Sequence, residues 1–83
     1  MTRFNRFIIH NQFSGTLLLS VEPEGAMVSL ATGEEVQVSE QFNNHPVTLN
    51  FDINNQGLPL IAVWPGDGDL RVEKDGTDVL EQR

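Results

Sequence analysis

Cysteine is absent from this chain. Disulfides, thiolate zinc sites and a thiol nucleophile are therefore all excluded. Basic residues are few, five against twelve acids, for a net charge of −7. Long apolar runs are missing as well. No segment approaches the roughly 18 residues that a bilayer span requires, and MTRFNRFIIHNQF carries arginines but no apolar stretch followed by small residues. These features lead us to expect a soluble, cytoplasmic protein that neither enters a membrane nor carries a cofactor.

The acids are unevenly placed. Residues 1–13 hold Arg3 and Arg6 and no acid, whereas residues 14–83 hold all 12 acids against Arg71, Lys74 and Arg83. Three cations against those acids leave the body near −9. Such a surface repels phosphate backbones within a Debye length, which argues against nucleic acid as a partner.

Motifs for catalysis are wanting too. No phosphate loop or dinucleotide fingerprint is present, and the nearest approach to a nucleophile elbow, at Ser14-Gly15, has Gln12 where its first glycine belongs. His10 and His45 are far apart in the chain and have no cysteine to complete a metal set. The tight carboxylate pairs Glu34-Glu35 and Asp67-Asp69 lie in glycine-containing turns, where water keeps both members ionised and no acid/base division of labour arises. A sandwich of this size leaves little room for a ligand cleft of about 300 Å³ or more. The expectation is a protein that is not an enzyme.

What is present is a strand pattern. In PVTLNFDI, Val47, Leu49, Phe51 and Ile53 alternate with Thr48, Asn50 and Asp52, as in a strand with one buried side. EVQVSE, DLRVEK and AMVSL repeat that alternation, while TLLLSV and LPLIAVW are apolar on both faces and suit central positions. The turns EPEG, ATGEE, NNHP, NNQG, PGDG and KDG fall between them at short intervals. Six strands over residues 16–74, with TDVLEQR as a short seventh through a KDG hairpin, predict an antiparallel all-β domain. No interval accommodates the helix that usually joins a parallel pair. We expect a small β-sandwich of immunoglobulin-like architecture, with a small closed barrel as the alternative. At 83 residues this is one domain, with a stability of roughly 4–12 kcal/mol.

Residues 1–13 stand apart from residues 14–83. Phe4, Phe7 and Ile8 belong either to a strand at the edge of the core or to an apolar, basic arm that docks on a second acidic body and forms a homodimer. The other candidate end is Trp64-Pro65-Gly66-Asp67-Gly68-Asp69 with Arg71. Its aspartates fit turn formers that bond their own backbone better than calcium ligands, because the EF-hand spacing fails at Arg71 and Val72. Trp64 is expected at the rim of the core, with exposure as the alternative. The leading functional expectation is a non-catalytic module that binds another protein through Trp64, Asp67, Asp69, Arg71, Phe4, Phe7 and Ile8. The alternative is a carbohydrate- or cation-binding module using Trp64 and the turn 65–69.

Overall fold

A computed structural model of the chain describes residues 1–82, with side chains through Leu80. Eight strands form: β1 (Arg3–His10), β2 (Leu17–Val21), β3 (Ala26–Leu30), β4 (Glu35–Phe42), β5 (Thr48–Ile53), β6 (Pro59–Trp64), β7 (Leu70–Lys74) and β8 (Thr77–Asp78), followed by a 3₁₀ turn over Val79–Gln82. They make two four-stranded sheets, ordered β1-β4-β7-β8 and β3-β2-β6-β5. The fold is a small β-sandwich, and the sheets do not close into a barrel. No helix among the described residues is long and apolar enough to cross a membrane.

The predicted alternation becomes the core. Leu17, Leu19 and Val21 from β2, Val28 and Leu30 from β3, Val36 and Val38 from β4, Ile61 and Val63 from β6, and Val72 from β7 point inward and are buried. Ile9 of β1 and Val79 of the 3₁₀ turn complete the cluster. In this cluster the ten residues from β2, β3, β4, β6 and β7 are all aliphatic and most are β-branched, which suits the pleated surface of a strand.

One pairing departs from the antiparallel expectation: β2 and β6 run parallel, with Leu18 beside Leu60 and Val21 beside Val63. No helix is needed because β4, in the opposite layer, makes the crossing. The chain leaves β2 through β3, crosses to β4, and returns through β5 to lay β6 beside β2. The KDG turn forms as predicted. Asp75 and Gly76 both take positive φ, at 55° and 80°, the conformation of a two-residue type I′ hairpin that Asp-Gly favours. TDVLEQR yields only the two-residue strand β8 before the 3₁₀ turn, and Arg83 lies outside the described residues.

A second departure concerns β5. Its alternating face does point inward, yet Phe51 is 74% and Ile53 67% exposed. The cause is the way the layers cross. The short connection 31–34 holds the end of β3 close to the start of β4, and the Asn11 side chain donates to the Leu30 carbonyl. The other end of β4 reaches toward the start of β5, where Glu40 accepts from the Val47 amide. The first sheet thus swings from β3 toward β5 along its length, and the Phe51–Ile53 end of β5 is left uncovered. A residue on the correct face of a strand is buried only where the facing layer extends over it.

Candidate functional site

Register decides what the outer face of the first sheet carries. In β1, Phe4 lies opposite Gln41 and Arg6 opposite Ser39, while Ser39 in turn lies opposite Arg71 of β7. Directly opposed residues share a face. Phe4, Arg6, Ser39 and Arg71 therefore line one surface, with Asp69 and Asp78 at its far side, around an open depression of about 850 Å³. Its volume exceeds the sequence expectation because it is the open outer face of a sheet and not a cleft between layers.

The two ends picked out in the sequence meet here in part. Phe4, Asp69 and Arg71 share the depression, and Ile8 borders the adjoining hollow with Glu35, Gln37 and Glu73. Phe4 is 72% and Ile8 49% exposed. Phe7 faces the other way and packs against the core, so it is a core residue and not part of this surface. Arg6 and Ser39 were not among the sequence candidates. The signal available was the period of two that sets Phe4, Arg6 and Ile8 on one face of a strand.

Arg71 approaches Asp78 at 3.6 Å, with the arginine side chain 60% exposed. Exposed pairs of this kind contribute little to stability. The guanidinium remains available to a partner.

Trp64 sits elsewhere. It lies on the outer face of the second sheet, opposite Thr48, and at 42% exposure it does not cap the core as expected. The reason is parity. Ile61 and Val63 take the inward positions of β6, so Leu60, Ala62 and Trp64 must point outward.

Asp67 is not a turn former of the expected kind. Its carboxylate accepts from the backbone amides of Asn43 and Asn44, each at 2.8 Å, and of His45 at 3.2 Å, while its own amide donates to the His45 carbonyl. It ties the loop 43–45 to the loop after β6. Its role is architectural: each carboxylate oxygen already accepts at least one backbone hydrogen bond. Among the described residues no three His, Asp or Glu side chains group as metal ligands.

Bonds from the Asn43 and Asn44 amides hold the Asp67 carboxyl below its ordinary value of 3.8. A depressed folded-state value means that Asp67 contributes stability above the unfolded pKa and loses it as pH falls through the folded one. The thermal midpoints of the native protein and Asp67→Asn should therefore differ at neutral pH and draw together as pH falls through the folded-state pKa of Asp67. A scan of midpoint against pH by circular dichroism checks this; a constant difference across the scan would refute it.

Glu34 behaves similarly in the turn before β4. It accepts from the Ala31 amide at 2.7 Å and meets Lys74 Nζ at 3.4 Å, and these contacts, the backbone bond first, lower its pKa. The Glu34-Glu35 pair is a turn cap and a strand end, with no paired-carboxylate chemistry between them.

Glu40 is 5% exposed on the inner face of β4. Both its oxygens accept from the Val47 amide, at 2.9 and 3.0 Å, and one also accepts from Asn5 Nδ2 at 3.2 Å. Truncation to alanine orphans a buried-side amide and is expected to cost about 2 kcal/mol, read as a shift in the urea midpoint. Comparison of the chain with protein-family models, with curated proteins and with solved structures gave no match.

Proposed function

We propose that this chain is a non-catalytic protein-binding module that takes up an extended segment of a partner along the edge of β1. The observation that carries this reading is the coincidence of free backbone and exposed side chains on the same residues. The Asn11 amide continues the β1–β4 ladder by donating to Glu34. Odd-numbered residues of β1 therefore bond to β4, and Phe4, Arg6 and Ile8 turn their backbone groups to the open edge. A strand added there gains main-chain hydrogen bonds, and the exposed Phe4 and Ile8 side chains supply specificity.

Charge suggests the partner's composition. β1 carries Arg3 and Arg6 and no acid, so an extended segment alternating acidic and apolar residues is favoured over a basic one. Affinity for such a segment should fall as salt rises, as attraction between exposed charges is screened.

Peptides selected from a displayed library provide the test. The double variant Phe4→Asp, Ile8→Asp should fold normally, since both sites are exposed, and should bind selected peptides at least about tenfold more weakly, a difference of 1.4 kcal/mol or more. Phe51→Lys, on the other sheet, should leave that affinity unchanged. Failure to select any peptide, or peptides indifferent to the β1 changes, would reject the proposal.

The carbohydrate or cation alternative is weakened because Asp67 is committed to three backbone amides and Asp69 lies with Arg71 in the depression of the first sheet, whereas the exposed Trp64 is on the second. Its mark would be a change in Trp64 fluorescence with sugars or Ca²⁺. We expect none.

A further inference from the structure

The flank beside β3 and the flank beside β5 are treated differently by the chain. Near β3, the 3₁₀ turn brings in Val79, 8% exposed, with Leu80 packed against the core. Beside β5 no segment covers Phe51 and Ile53 among the described residues.

Backbone geometry shows how this flank can be closed. Ile53 lies opposite Pro59, which has no N–H, and the Asn54 amide bonds to the Leu58 carbonyl. Even-numbered residues of β5 thus bond to β6, and Leu49, Phe51 and Ile53 direct their backbone groups to the open edge. The edge is protected only locally. The Ile53 amide is held by the Asp52 side chain at 2.7 Å.

From this arrangement we infer that β5 pairs with β5 of a second copy, antiparallel about a two-fold axis through Phe51. Only pairings that oppose like-facing residues are allowed, because a shift by one residue inverts every side chain. With Phe51 opposite its own equivalent, Leu49 meets Ile53 of the other copy on the inner face, and Asn50 meets Asp52 on the outer face. All three odd-numbered positions then form hydrogen-bonded pairs, each of two bonds, and Asp52 exchanges its local bond for the Asn50 amide. Sliding two residues one way would oppose Val47 to Ile53, but the Val47 amide already donates to Glu40. Sliding the other way would set Asp52 against Asp52, and opposed like charges are destabilising. The strand is self-complementary in a single register.

The pairing joins the two second sheets into one eight-stranded sheet and unites the exposed Phe51 and Ile53 side chains of both copies. Each copy carries −7, so the association should strengthen as salt rises. The salt dependence is opposite to that proposed for peptide binding at β1, and the two edges are separable.

Analytical ultracentrifugation of the native chain over a range of salt, with cysteine variants, tests the inference. A concentration-dependent dimer is expected, tighter in high salt and abolished by Phe51→Lys, with circular dichroism showing that the variant is folded. The chain has no cysteine, so Phe51→Cys reports on register directly. Hydrogen-bonded opposed residues lie about 5.5 Å apart at Cα, within disulfide range. Phe51→Cys should oxidise to a covalent dimer well ahead of Asn50→Cys and Phe4→Cys. A monomer at all concentrations would overturn the inference, as would a dimer lost with Phe4→Asp but retained with Phe51→Lys. Equal oxidation rates for the three cysteines would do the same.

Discussion

Replacing Asn11 with alanine is expected to destabilise the protein by about 3–4 kcal/mol, the sum of lost bonds and newly orphaned carbonyls. Asn11 is fully buried. Its amide group donates to the Gly15 carbonyl at 2.9 Å and the Leu30 carbonyl at 2.8 Å, and its oxygen accepts from the Phe13 amide at 2.8 Å. Backbone bonds to Glu34 and Gly33 hold it from the other side. One side chain thus joins the end of β1, the β1–β2 connection and the end of β3, which are the places where the chain passes between layers. Aspartate should be worse than alanine, because it sets a carboxylate oxygen against the Leu30 and Gly15 carbonyls where an N–H group stood. Urea unfolding would check both. Against a total stability of roughly 4–12 kcal/mol, Asn11→Asp is expected to remove about a third of it or more. A midpoint unchanged by either substitution would rule out this account of the junction.

An equally large effect is expected at Gly66 and Gly68, for a different reason. Neither glycine takes positive φ, so conformational freedom is not what they supply. A Cβ on Gly66 would lie 1.7 Å from the His45 carbonyl oxygen, and one on Gly68 would lie 1.8 Å from that of Gln41. The loop after β6 presses against the backbone of 41–46, with Asp67 between the glycines bonding the amides of 43–45. Alanine at either position must push two backbone segments apart and break that bonding. Overpacking ordinarily costs about 1–3 kcal/mol, and with backbone on both sides we place these changes at or above the upper end. In a domain of this size that corresponds to a fall in thermal midpoint of about 12 °C or more. Gly15→Ala, where a Cβ meets open space, is the control and should leave the midpoint unchanged. Calorimetry that found Gly66→Ala as stable as Gly15→Ala would contradict the close approach.

These two sites show where sequence patterns give out. The alternation of Val36 with Val38, of Leu70 with Val72, and of Ala26 with Val28 and Leu30 is enough to identify strands and their inward faces, because the period of two is a local property of the backbone. The Asp-Gly turn at Asp75-Gly76 is legible for the same reason. Asn11 carries no such signal. Its partners Gly15 and Leu30 become neighbours only when β1, β2 and β3 are in place, and an asparagine near the end of a strand otherwise reads as a turn residue. Gly66 and Gly68 do announce a turn, but not the pressure of a second loop that makes them irreplaceable.

The candidate site divides along the same line. Phe4 and Ile8 could be chosen from the chain as apolar residues of its basic first segment, and Asp69 and Arg71 as charged residues beside a turn, but their meeting on one surface depends on β4 lying between β1 and β7. Arg6 and Ser39 joined them only through register. Trp64 and Asp67 were drawn from the same short stretch and parted, one to the outer face of the second sheet and one into the loop junction. By itself, the sequence determined that this protein is built of short strands, which residues face its core, and where most of its turns fall, because those depend on neighbours along the chain. Tertiary structure alone decided which strands became edges, that β2 and β6 run parallel, and that Phe51 and Ile53 remain uncovered. Those outcomes depend on how two twisted layers cross, and the angle between layers is set by contacts between residues distant in the chain.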